Sequence, residues 1–480
     1  VYKRQTDGRI FYAAGAVESY TLEITDMVIR DNRFICTSSY MEPVYSTAFI
    51  CLQTASNLRL IFEDNYIVSD GDPVTTTSPV AGVRVYPATD GSFCGNTVFT
   101  KTSGKCVELR GFDHCKVKNN TLAGFTTTID YDPSGITGSV VGISFSGRFS
   151  EVCGNTIFNV ASGFYAYGQS LHGTSISEND VRLFSAYAFY IYTDAFDDTS
   201  GANGISLIKV ERNIISKGIR LASESGRLSG IRFKVLTPTS TSFVENISVS
   251  DNRISDLYNA VDSDGLVGIE LEFTGGSGVN PHVKNVSVNG NKISGLRAGN
   301  AAYYAYGIKS NLDIYLPGEE IGMHSYCIDG NEISFHQAGI GYLVGIESII
   351  DSSRGVSYSC SVSRNVINAI TSDLMDYSKW IDLEGYYKGV VQGNNVRSGI
   401  LGIHSDDAPG VNVSGNSIYC MGTGINVEAD STVIDNKVEC HHPPSGYPST
   451  FHLNGIIAGS RCRIANNHVE IDALGLTASS

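Results

Sequence analysis

One short phrase, apolar-x-x-Asn-x-apolar, recurs fifteen times along the 480 residues and constrains the fold more than any other feature. It centres on Asn32, Asn65, Asn96, Asn120, Asn155, Asn179, Asn213, Asn252, Asn291, Asn331, Asn365, Asn394, Asn416, Asn436 and Asn467. Three residues before each Asn stands Ile, Val or Phe, and two residues after it Ile, Val, Leu or Phe. The spacing varies from 20 to 40 residues. A constant phrase at variable spacing suits a solenoid whose coils keep their strands and adjust their loops. "NVSVNGNKI" (285–293) alternates as strand, turn and strand, and no heptad or long amphipathic helical segment competes. Asn and Gly at the corner suit a turn that needs positive φ. Stacked asparagines can also bond amide to amide as a ladder. The expected fold is all-β: a right-handed, single-stranded parallel β-helix of about fifteen coils.

A second phrase lies between the corners. Strands open with Gly-Ile at "GISFS" (142), "GIRFK" (230), "GIELEF" (268), "GIKSN" (307), "GIESI" (345), "GIHSD" (402) and "GINVE" (424), and "WIDLEG" (380) fills the same slot. No composition break interrupts the pattern, so residues 29–470 are expected to form one domain. Residues 1–28 read as a cap or a connection to an upstream region, and 471–480 as a tail.

Successive strand residues point to opposite faces. With the Ile of Gly-Ile inside, the next residue and the one two further on face outward. Coil by coil, these positions hold Arg84 and Tyr86, Glu108 and Arg110, Ser144 and Ser146, Tyr165 and Tyr167, and Tyr190 and Tyr192. The series continues with Arg232 and Lys234, Glu270 and Glu272, Lys309 and Asn311, Glu347 and Ile349, Asp382 and Glu384, and His404 and Asp406. Aromatic faces stack on the apolar faces of sugar rings. Neighbouring carboxylates supply the acid and base of glycosidic cleavage. Glu347, Asp382 and Glu384 are therefore the candidate catalytic set, because register puts the first two about 4.8 Å apart on adjacent coils. Glu270, Glu272 and Asp194 form an alternative set. Tyr165, Tyr167, Tyr190, Tyr192, Arg232, Lys309, Trp380 and His404 are candidate substrate-binding residues.

Composition narrows the partners. A net charge of −15 argues against nucleic acid, since phosphate binding needs clustered cations. No apolar run is long enough to insert in a membrane. No residue spacing matches a metal site, and no cofactor is expected. The eleven cysteines include no CxxC pair, and Cys115, Cys360 and Cys462 fall where the repeat expects buried side chains. Most of them read as reduced core thiols, implying folding in a reducing cytoplasm. "DYDPSG" (130–135) is similar to a Tyr-Asp-Pro-His stretch of β-helical alginate epimerases, but Ser134 stands at the histidine position and the segment reads as a turn.

Over residues 29–470, an asparagine-stacked β-helix with tyrosines and carboxylates along one face resembles bacteriophage tailspikes. These are polysaccharide depolymerases of the right-handed parallel β-helix, pectate-lyase-like type. The resemblance implies a side-by-side homotrimer, attached to the virion tail or baseplate through a region absent here. It implies action outside the cell on a bacterial capsule, exopolysaccharide or O-antigen. Three activities fit: an endo-glycosidase using the carboxylates, a lyase removing the C5 proton of a uronic acid with Lys309, His404 or a tyrosine as base, or glycan binding without cleavage.

Overall fold

The residue just before each corner asparagine decides how the chain turns. At all fifteen corners it adopts φ between +54° and +67°, whether it is Gly, as at Gly95, Gly290 and Gly330, or Asp, Asn, Glu or Arg, as at Asp64, Asn119, Glu178 and Arg364. Left-handed backbone is costly for most side chains. Its repetition means the asparagine that follows holds the turn. In this computed structural model the described residues are 11–14, 26–36, 48–69, 80–101, 104–125, 140–167, 171–193, 204–220, 227–237, 243–260, 265–275, 282–298, 304–313, 323–336, 342–351, 358–370, 378–385, 389–406, 408–441 and 453–472. Most of the expected cap and tail, and the "DYDPSG" segment, lie outside them.

The chain divides into two compact units: Val1–Asp198 with Gly204–Ile219, and Thr199–Asn203 with Arg220–Ser480. Each is a parallel β-helix. Among the described residues every element is a strand, and strands pair in parallel with their equivalents one coil on. In the second unit, His282–Asn289 leads into the corner, Lys292–Ala298 leaves it, and Tyr304–Asp313 follows as the Gly-Ile strand. These strands stack on Met323–Asp329, Glu332–His336 and Tyr342–Asp351 of the next coil.

Each unit has its own asparagine ladder. Asn65 donates its backbone N–H (3.0 Å) and its side-chain amide (3.1 Å) to Oδ1 of Asn96, and the same amide also donates to the Ile29 carbonyl. The pattern repeats from Asn32 to Asn179, whose amide donates to Asn213. In the second unit it runs from Asn252 through Asn291 and on to Asn467. Thirteen of these asparagines are at most 2% exposed. Burying an amide is tolerable because its donors and acceptor are satisfied.

The apolar partners of the phrase form the core. Val249, Val288, Ile328, Ile254, Ile293 and Ile333 are all within 1% of full burial, as are Ile269, Ile308, Ile346 and Ile381 of the Gly-Ile strands. Gly and Ile both point inward, so the strict alternation breaks at this step: a methyl on Gly345 would collide with Ile367 in the core. Trp380 occupies the glycine position of its coil. Contrary to expectation it is 0% exposed and cannot touch a ligand; its indole packs on Phe335 at 5.7 Å and fills the space that Gly399 leaves free. Cys115 and Cys360 are buried free thiols as expected, whereas Cys462, on the last described coil, is half-exposed.

Replacing Asn291 with Leu, of similar volume, removes the acceptor of the Asn252 N–H, one acceptor of the Asn252 amide and the side-chain donor to the Val249 carbonyl. At roughly 1–3 kcal/mol for each buried group left unpaired, a loss of at least about 3 kcal/mol is expected in urea unfolding. Asn32→Leu, at the exposed start of its ladder, is expected to cost under about 1 kcal/mol by the same measure.

Candidate active site

Register in the second unit aligns one outward residue per coil: Arg232, Glu270, Lys309, Glu347, Asp382 and His404. The first four alternate in charge, and each can neutralise its neighbour. The alternation fails at Glu347 and Asp382, where two carboxylates are direct register partners. Adjacent strands lie about 4.8 Å apart, so like charges are forced together there.

The two carboxylates resolve this conflict in opposite ways. Both residues are buried, at 8% and 6% exposure, although their side chains face away from the core. Burial pushes the Glu347 carboxyl above its ordinary value; Lys309 pulls it back, and the charge of Asp382 adds to the rise. The Lys309 ammonium is 3.0 Å from Glu347 Oε2. It also sits 4.1 Å from the centre of the Tyr306 ring. For Asp382, burial acts upward too, but His404 and Lys379 outweigh it and hold the carboxyl below its ordinary value. His404 Nδ1 lies 2.8 Å from Oδ1, and Lys379 Nζ donates to Oδ2 at 2.9 Å. One carboxyl is therefore pushed towards its protonated form and its neighbour towards its ionised form, which is the direction of difference an acid–base pair needs.

A cleft of about 240 Å³ opens beside the pair. Both carboxylates line it, with Lys379, three tyrosines and the aliphatic side chains of Leu343, Val344, Ile400 and Leu401. The tyrosines form a platform: Tyr304 stacks on Tyr306 at 5.9 Å and on Tyr342 at 5.0 Å. Tyr304, Tyr306, Tyr342 and Lys379 were missed from sequence. They precede the Gly-Ile step, where counting outward positions from the Ile does not reach. The available signal was the alternation in "YAYGI" and "YLVGI" on consecutive coils.

The remaining candidates separate. Glu384 is exposed, is register-paired with Ile349 and does not line the cleft. Glu270 is 2% exposed and bound by Arg227, Arg232 and Ser229. Glu272 is ion-paired with Arg232 and Lys234; burial would raise its carboxyl, but these cations hold it lower. Both thus serve as counter-ions, and Arg232 is taken up by them. Asp194 lies outside the described residues. Tyr165, Tyr167, Tyr190 and Tyr192 belong to the first unit, where they form a half-buried aromatic row away from any described carboxylate pair.

The electrostatics are testable without a substrate. Carboxyl-labelled NMR titration is expected to place Glu347 above 4.5 and Asp382 below 3.8. Asp382→Asn should lower the Glu347 value, and Lys309→Met should raise it. Glu347's contribution to stability falls as pH rises from 4.5 to its folded value, whereas that of Asp382 is present above 3.8 and is lost as pH falls through its folded value.

No family model and no curated protein matches the chain. Among solved structures it is similar to the Agl-KA catalytic domain, at 12% identity and a TM-score of 0.28, covering 81% of this chain and 62% of that one. It is also similar to the PL6 family alginate lyase AlyGC, at 11% identity and a TM-score of 0.23, covering 93% of this chain and 77% of that one. The chain thus spans under two thirds of the first of these. Likeness this distant leaves the chemistry to be read from the site itself.

Proposed function

We propose that the chain is an endo-acting glycoside hydrolase of a bacterial surface polysaccharide, whether capsule, exopolysaccharide or O-antigen. The observation that carries this reading is the oppositely perturbed pair Glu347 and Asp382 beside a tyrosine-walled cleft. Tyr304, Tyr306 and Tyr342 stack against sugar rings. Glu347 gives its proton to the glycosidic oxygen as the bond from that oxygen to the anomeric carbon breaks. Asp382, kept ionised by Lys379 and His404, attacks or shields the anomeric carbon. A one-strand separation favours the retaining geometry, with carboxyl groups about 5 Å apart. Glu347 then returns as base to activate the water that completes the cycle.

One observation favours a second reading. Asp382 fixes His404 through Nδ1, which leaves Nε2 as the base for proton removal at C5 of a uronic acid, with Lys309 and Lys379 neutralising its carboxylate. That reaction would be a lyase elimination. In either case the setting we propose is a phage tailspike: a homotrimer on the virion tail, folded in the reducing host cytoplasm. The free thiols of Cys106, Cys115 and Cys360 support that setting.

The test is incubation with purified capsular, exopolymeric and O-antigen glycans, followed by product analysis. New reducing ends without ultraviolet absorbance are expected, and Glu347→Gln and Asp382→Asn should each lower the rate by about 10²–10⁴-fold. Unsaturated, ultraviolet-absorbing ends that disappear in His404→Gln would establish the lyase instead. Binding without cleavage across the panel would sink both enzymatic readings, and full activity in both carboxylate variants would sink this site.

A further inference from the structure

In the first unit one carboxylate is surrounded by more cations than it can neutralise. Glu108 is 0% exposed. It accepts hydrogen bonds from Lys105 Nζ at 2.6 Å, from Arg110 Nε at 3.0 Å and Nη2 at 2.7 Å, and from Arg84 Nε. Burial alone would raise this carboxyl, but Lys105, Arg84 and Arg110 hold it down to about 2. It is therefore a fixed anion shared by three fixed cations. The group as a whole is positive, in a chain whose net charge is −15.

Its surroundings are aromatic and incompletely bonded. Arg110 Nη1 donates to Tyr86 Oη at 2.6 Å, and the guanidinium lies 5.1 Å from the Tyr86 ring centre and 5.6 Å from that of Tyr167. Lys105 lies 5.6 Å from the Tyr167 ring. Ser144, the register partner of Glu108, is 0% exposed, and among the described residues its Oγ has no hydrogen-bond partner; neither does the buried Oη of Tyr167. Leaving buried hydroxyls unpaired is costly, and beside an excess of cations they suit an anion. From Tyr167 the aromatic row continues through Tyr165 and Tyr190 to Tyr187, with ring centres 5.6, 5.3 and 4.6 Å apart.

We infer that Arg110, Lys105 and Tyr167 form a binding site for the carboxylate of an acidic sugar unit, a uronic acid or another carboxylated pyranose, whose ring lies on the adjoining tyrosines. A planar guanidinium matches a carboxylate with two parallel hydrogen bonds. Arg110 is the natural point of entry, since its side chain is 37% exposed while those of Arg84 and Lys105 are 15% exposed. The aromatic row argues for a saccharide over a bare inorganic anion, because stacking needs a ring with an apolar face. The inference stands independently of cleavage at Glu347 and Asp382.

Calorimetric titration of the full chain tests it, using oligogalacturonate and oligoglucuronate, their carboxyl-reduced counterparts and inorganic sulfate. At least one acidic oligosaccharide is expected to bind about tenfold or more tightly than its reduced form. Arg110→Gln should weaken that binding by about tenfold or more, with Tyr167→Phe weakening it less. Circular dichroism melting checks that both variants remain folded. Arg461→Gln, on an exposed turn of the second unit, should leave the affinity unchanged. Failure of both acidic oligosaccharides to bind, equal affinity for the reduced forms, or sulfate binding as tightly as the acidic sugar would overturn the inference. So would unchanged binding by folded Arg110→Gln and Tyr167→Phe, or a loss in Arg461→Gln.

Discussion

Inside each ladder a corner asparagine such as Asn291 accepts two hydrogen bonds on one oxygen, from the backbone and from the side chain of the asparagine one coil before, and returns its own amide to both neighbouring coils. Everything else in either unit depends on this arrangement. A side chain one atom longer or shorter could not reach the carbonyl and the next amide together, so the phrase tolerates changes all around the asparagine but not at it. The left-handed residue before it is held by that bonding, which explains how Arg364 and Glu178 can stand where Gly290 and Gly330 stand. Coil length is then free to vary, because the ladder fixes one point per turn and loops absorb the difference.

Fixing that point fixes register, and register decides which charges meet. Along the outward row of the second unit, a residue's register partners lie 22 to 39 positions away in sequence and one strand away in space. Arg232 over Glu270 and Lys309 beside Glu347 follow the ordinary logic of cross-strand pairs, with opposite charges adjacent. Glu347 beside Asp382 breaks it. A like-charged pair in a buried row contributes nothing to folding that Gln or Thr would not supply more cheaply. The pair is thus a natural candidate for chemistry, and it occurs where the wall of the cleft is aromatic.

The ladder, the strands and the Glu347–Asp382 register were legible in the sequence, because each follows from counting: a phrase locates the corner, and parity locates the face. What counting could not reach was the step where parity fails. Two inward residues in succession at Gly-Ile shift everything before the glycine by one, so Tyr304, Tyr306 and Lys379 went unread and Trp380 was assigned to the wrong side. Burial was also hidden. An outward position on a strand reads as exposed, yet Glu108, Ser144 and Glu270 are enclosed by long side chains from adjacent coils. Only the three-dimensional neighbourhood reveals that covering.

That covering makes the two carboxylates different. Their backbone positions are equivalent, their burial is nearly equal, and each has a lysine close by. The difference lies in number. Glu347 has Lys309 on one oxygen, whereas Asp382 receives Lys379 on one oxygen and has His404 on the other. A buried carboxylate is stabilised mainly by donors aimed at its oxygens, so the better-held one is shifted towards its charged form and its charge shifts its neighbour towards the proton. The asymmetry needs no special residue type, only a row in which one carboxylate is bonded at both oxygens and the next is not.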